Sequence, residues 1–136
     1  MTGIRYASGG GRFETVAAYS RAKRVGPFVA VAGTTAIEPS GRLHQPGDTY
    51  AQTIYAFQRI EAALNEVGAE LKHVVRTRAF LTDMRNAGEF ARAHGEIFAD
   101  ILPVTSAVAA GLTTAGMMVE IEADAIVHDS DGVIPY

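Results

Sequence analysis

A chain of 136 residues, 48% hydrophobic and 20% charged, has the length and composition of one globular domain with a single core. Its lack of cysteine excludes disulfides, zinc–thiolate centres and thiol nucleophiles, and its net charge of -3 argues against a nucleic-acid binder, which carries a basic face. No apolar run nears the roughly 18 residues that span a bilayer, and Met1 to Tyr6 lacks a signal peptide's apolar stretch, so a cytoplasmic domain without membrane or nucleic-acid partners is expected.

Residues 1–14, through Ser8-Gly9-Gly10-Gly11, read as a mobile leader. Thr15 to Val25 has the weak alternation of an exposed strand. Gly26-Pro27 then turns the chain into the apolar strand Phe28 to Ala32, so the two segments read as a hairpin closed by Gly33-Thr34-Thr35. After the turn Pro39 to Arg42, Asp48 is the expected N-cap of a helix that runs to about Val67 and stops at Gly68. Ile54, Phe57, Ile60, Leu64 and Val67 form its apolar stripe, while Gln52, Gln58, Arg59, Glu61 and Glu66 fall mostly off it.

His73 to Thr82 alternates as a strand, with Val75, Thr77, Ala79 and Leu81 on one face and Val74, Arg76, Arg78 and Phe80 on the other. A second helix over about Ala87 to Ala99 turns Phe90, Ala93, Ile97 and Phe98 inward, and Leu102-Pro103 ends it. Val104 to Leu112 is a strand, Thr114-Ala115-Gly116 a turn, and a last strand begins at Val119. Residues 1–128 therefore read as one domain and 129–136 as a polar tail. This order predicts a mixed α/β fold with both helices on one sheet face.

The last strand alternates strictly. Val119, Ile121, Ala123, Ala125 and Val127 line one face, and Glu120, Glu122 and Asp124 line the other, about 7 Å apart. The apolar row belongs under the helices, which leaves the carboxylates on a face that the chain does not cover. Arg76 and Arg78 have the same two-residue spacing, so cross-strand ion pairs are expected to neutralise Glu122 and Asp124. Glu120 begins the strand beyond their reach. A carboxylate at a strand end beside a turn suits a general acid or base.

Several segments together resemble the reactive-intermediate deaminase family (RidA/YjgF type): Ala18-Tyr19-Ser20-Arg21-Ala22, Ala32-Gly33-Thr34-Thr35, Tyr50-Ala51-Gln52-Thr53 and Gly68-Ala69 through His73-Val74-Val75-Arg76. So do Phe80-Leu81-Thr82-Asp83, Pro103-Val104-Thr105-Ser106 and Val119-Glu120-Ile121-Glu122-Ala123. Their collinearity over Val16 to Val127 makes the likeness specific. It implies a chorismate-mutase-like α/β domain assembled as a homotrimer with its sheets facing inward, clefts between subunits, and hydrolysis of reactive imines or enamines without a cofactor or metal. It further implies that Tyr19 is a cleft tyrosine, that Gly33 with Thr34 supplies the cleft backbone, and that Glu120 positions water.

The chain departs from that pattern where deaminase-active members carry an arginine two residues after the proline. Thr105 stands there, and a threonine cannot grip a carboxylate as a planar bidentate donor. Ala32 and Ala107 likewise stand where the family usually has a serine and a cysteine. The departure shifts expectation towards an uncharged substrate, or towards a small-molecule-binding or regulatory trimer without catalysis. Arg21, two residues after Tyr19 on the expected strand, is the candidate to compensate. The family's older ribonuclease label fits the acidic balance poorly. His44, His73, His94 and His128 lack metal-ligand spacing, and His94 reads as a surface or half-buried histidine.

Overall fold

The computed structural model describes residues 3–135, with Arg12 described by its backbone alone. In chain order the elements are β1 (Ile4–Ala7), α1 (Arg12–Ala17), β2 (Ala22–Val25), β3 (Phe28–Thr34), α2 (Thr49–Glu66), β4 (Val74–Leu81), α3 (Ala87–Phe98), β5 (Val104–Ala109) and β6 (Val119–Ile126). Single turns of 3-10 helix, Leu71–His73 and Met84–Asn86, lead into β4 and α3. The six strands form one sheet in the order β1-β2-β3-β6-β4-β5. Every pairing is antiparallel except β4–β5, which is parallel and bridged by the α3 crossover.

Alternation places the apolar row of β6 as expected. Val119, Ile121, Ala123 and Ala125 are buried, and they share a core with Val29, Val31, Phe57, Ile60, Leu64, Phe90 and Phe98. Burying the valine, leucine, isoleucine and phenylalanine side chains of this set contributes about 1.5–3 kcal/mol each, so this layer is what holds α2 and α3 to the sheet. Asp48 caps α2 by accepting the Ala51 N–H at 2.9 Å. At the other end Gly68 adopts φ +79°, and Arg24 donates to the carbonyls of Val67 (2.9 Å) and Gly68 (3.1 Å). A buried guanidinium thus meets the negative end of the helix dipole.

Four expectations need correction. The expected mobile stretch holds two elements of the fold. Ile4–Ala7 pairs with Ala22–Val25 as an edge strand, and α1 follows it (Met1 and Thr2, and Tyr136 of the tail, lie outside the described residues). Glu14 makes that short helix possible, because its carboxylate reaches back to the Gly11 N–H at 2.9 Å. In consequence Thr15 to Val25 is not one strand: α1 occupies its first part, Ala18 in the left-handed region (φ 58°) turns the chain, and β2 begins only at Ala22.

The third correction is the start of β4, where an irregularity in pairing between Val74 and Arg76 puts Val74 in the core and leaves Val75 exposed. The fourth is Gln52, which is fully buried rather than outside the helix stripe. Its amide donates to the carbonyls of Gln45 and Gly116 and accepts from the Met118 N–H, so it fastens α2 to the loop before β6.

Candidate functional site

β6 and β4 are neighbours, in a register that sets Arg76 opposite Asp124, Arg78 opposite Glu122 and Phe80 opposite Glu120. Arg78 Nη1 lies 3.1 Å from Glu122 and 3.3 Å from Asp124, so a single guanidinium bridges both. Arg76 makes no ion pair within 4.0 Å among the described residues, although the expectation gave it a share of the ladder. Glu120 stands apart. It has no hydrogen bond or ion pair among the described residues, and its cross-strand neighbour is an aromatic ring.

What Glu120 does meet is Gly33. In the β3–β6 ladder Val31 pairs with Ala123 and Thr34 with Ile121, so Ala32 and Gly33 together oppose the single residue Glu122. Such a bulge bends its strand and re-aims the side chains around it. A Cβ on Gly33 would fall 2.7 Å from Glu120 Oε2 and 3.0 Å from its Cδ. The carboxylate therefore lies across the glycine, and any larger residue would push it aside.

A bulge leaves backbone carbonyls without ladder partners, and side chains take them here. Arg21 Nη2 donates to the Gly33 carbonyl (2.8 Å) and to Thr34 Oγ1 (2.7 Å), with a longer contact to the Ala32 carbonyl (3.4 Å). The buried Thr34 hydroxyl donates onward to the Ala32 carbonyl at 2.7 Å. Arg59 Nη1, from α2, reaches the next carbonyl, that of Thr35, at 2.6 Å. Sequence reasoning passed over Arg59 as a polar off-stripe residue. Burial and the nearby Arg21 charge both push its guanidinium below its ordinary pKa.

Tyr19 and Arg21 do not share a strand face, since both precede β2. Tyr19 is partly exposed and lines an open groove with Tyr6, Glu14, Lys23, Ala30 and Ala32. Ala32 joins that groove to Gly33, so Tyr19, Arg21, Gly33, Thr34 and Glu120 gather at one end of the sheet. The groove's acid is Glu14. Burial raises its pKa, but hydrogen bonds from the Gly11 N–H, the Ser8 hydroxyl and the Gly9 N–H, with the Arg21 charge, outweigh that and hold the carboxyl below its usual value.

Thr105 does not join them. It sits on the edge strand β5, opposite Thr77 in the parallel register, and Thr77 Oγ1 donates to its hydroxyl at 2.7 Å. Thr77 is fully buried on the helix-covered side and also bonds His94 Nε2 at 2.9 Å. Thr105 thus faces away from the Glu120 side of the sheet, and β6 and β4 lie between it and Gly33. His94 packs against Phe57, Phe90 and Phe98, and burial holds its imidazole below the ordinary pKa.

Among the described residues no cluster of three His, Asp or Glu is placed to hold a metal, and no helix is long and apolar enough to cross a membrane. Comparison with known proteins bears on the family and the fold. The family model described as Endoribonuclease L-PSP matches residues 10–127. An uncharacterised protein of Streptomyces coelicolor is 35% identical over 123 residues, which is 90% of this chain and 91% of that one. The mouse 2-iminobutanoate/2-iminopropanoate deaminase is 28% identical over 108 residues, covering 79% of this chain and 80% of the enzyme.

Among solved structures, Rv2704 of Mycobacterium tuberculosis, a member of the YjgF/YER057c/UK114 family, superposes with a TM-score of 0.82 at 45% identity, covering 91% of this chain and 99% of that one. The Rid-family protein YyfA of Yersinia pestis gives 0.74 at 29% identity, with 80% and 87% covered. A family model spanning nearly the whole fold and a close structural match lead to one conclusion: the chain belongs to the YjgF/Rid family, whose model bears the name endoribonuclease L-PSP.

Proposed function

We propose that the protein hydrolyses a reactive imine or enamine to a carbonyl compound and ammonia, with Glu120 as the group that activates water. The observation that carries this reading is the Glu120 carboxylate lying across Gly33, outside the Arg78 ladder, with no hydrogen-bond partner of its own among the described residues. Its oxygens are open to accept from water. In the reaction, water adds through oxygen to the C=N carbon and gives a proton to Glu120. The carbinolamine nitrogen takes that proton, the C–N bond breaks to release ammonia, and the hydroxyl proton returns to Glu120 as the carbonyl forms. The Tyr19 hydroxyl, in the adjoining groove, is the candidate donor to the nitrogen.

The site is completed by assembly. The face that carries Glu120, Glu122 and Asp124 has no helix over it, and Thr105 lies on the far side of the same sheet. A homotrimer with these faces inward brings the β5 edge of one subunit to the Glu120 end of the next. The family likeness supports this arrangement, and relatives named as deaminases support the reaction.

A coupled assay tests the reaction. A pyridoxal-phosphate dehydratase generates an imine in place, and carbonyl release is followed with and without the protein, for both carboxylate-bearing and uncharged imines. Acceleration is expected, with a loss of about 10²–10³-fold for Glu120→Gln. No acceleration of either imine class would sink the hydrolase and leave a binding protein.

A further inference from the structure

We propose that Arg21 and Arg59 together form an anion subsite that takes the substrate's carboxylate, in place of the arginine that position 105 lacks. The two guanidinium groups are fixed to successive parts of one loop. Arg21 is held on the Gly33 carbonyl and the Thr34 hydroxyl, and Arg59 on the Thr35 carbonyl. Each is anchored through one terminal nitrogen. Nε and Nη1 of Arg21, and Nε and Nη2 of Arg59, have no hydrogen-bond partner among the described residues. Four donor nitrogens on two oriented forks are thus available, and a planar carboxylate is the ligand that such forks match.

Charge points the same way. Neither arginine has a carboxylate within 4.0 Å among the described residues. The acid that both feel is Glu14, whose oxygens already accept from Ser8, Gly9 and Gly11. Two half-buried cations therefore share one engaged carboxylate, and each lies near enough to the other for Arg21 to disfavour the Arg59 charge. An arriving anion relieves that repulsion.

Position fits the reaction as well. Arg21 grips the carbonyl of the residue across whose α-carbon Glu120 lies, so no more than roughly 9 Å separates Nη2 from the Glu120 carboxylate. In an α-imino acid the carboxylate is bonded directly to the C=N carbon. Such a molecule, with a hydrogen bond of about 3 Å to the arginines and a water at its other end, spans that gap. The subsite rests on the hydrolase reading for the identity of its anion. Its binding is measured without turnover.

The probes are pyruvate and its uncharged amide, pyruvamide, titrated into the assembled protein by calorimetry at low and high salt. The wild type is expected to bind pyruvate at least tenfold tighter than pyruvamide, with only the pyruvate affinity falling as salt rises. Arg59→Gln is expected to weaken pyruvate about 10- to 100-fold and leave pyruvamide unchanged. Arg59→Lys, which keeps the charge and loses the fork, falls between. Should Arg59→Gln not fold, the lysine variant and the wild-type salt comparison still decide.

Equal affinity for the two probes, equal weakening of both by the substitution, or no pyruvate binding would each overturn the subsite. A pyruvate preference in a protein that hydrolyses no imine sinks the reaction but not the subsite. Turnover without that preference sinks the subsite alone.

Discussion

Glu120 and Glu122 lie two residues apart on the same face of the same strand, yet the fold treats them differently. Glu122 shares Arg78 with Asp124 and is paired within the sheet. Glu120 faces Phe80 on one side and the Gly33 bulge on the other. The residue type is the same and the cross-strand partner is not. A row of like charges is therefore sorted into structure and chemistry by its neighbours, a distinction that spacing along one strand cannot carry.

Gly33→Ala should show the contrast most sharply. The φ of Gly33 lies outside the left-handed region, so the backbone accepts alanine, but the new Cβ would meet Glu120 Oε2 at 2.7 Å. Imine hydrolysis is expected to drop about 10- to 100-fold, while unfolding stability in denaturant changes by less than about 1 kcal/mol. Equal rates for the two proteins would mean that the carboxylate need not lie where it does. Arg78→Met should do the reverse. It leaves Glu122 and Asp124 facing each other and is expected to lower stability by about 1 kcal/mol, less in high salt, with the hydrolysis rate kept within about threefold.

The smallest effect separates the two faces of the sheet by pH. His94 and His73, on the helix-covered side and at the entry to β4, both have pKa values depressed chiefly by burial, for His73 with the neighbouring His128 second. His73 Nδ1 also accepts the Glu70 N–H at 3.0 Å, which requires the neutral ring. Because the unfolded chain takes up these protons first, this stability is fully present above the ordinary histidine value. It is lost as pH falls through the lower folded values. The thermal midpoint should fall between about pH 7.5 and about pH 5.5. His94→Gln should flatten that slope and Arg78→Met should not. An unchanged slope in His94→Gln would remove His94 from the account.

Much of this was legible in the sequence. The α2 stripe between Asp48 and Gly68 declared a helix, and the strict alternation of β6 fixed which face carries acids. The two-residue spacing of Arg76 and Arg78 pointed to cross-strand pairing with Glu122 and Asp124, but only Arg78 makes it. What escaped was local structure made by distant contacts. Four residues of β1 and six of α1 are too short to show a period, and one depends on pairing with Ala22–Val25 while the other depends on the Glu14 side chain. The bulge at Ala32-Gly33 and the irregularity at Val74 are one-residue slips that leave no trace in hydrophobic patterning. The same blindness hid Arg59, whose target is a carbonyl twenty-four residues away in sequence. It also hid the side of the sheet on which Thr105 lies, because only pairing with Thr77 settles that.

The place of β6 in the sheet has a further consequence, for how the molecule forms. It is the last strand in chain order, yet it sits between β3 and β4 and pairs with both. Until it arrives, the hairpin side and the β4–β5 side share no ladder, and each shows an open edge beside apolar surface. Contacts between segments so far apart close slowly. Folding to the native sheet must therefore await residues 119–126, and a growing chain that has not yet made them holds two sticky half-sheets.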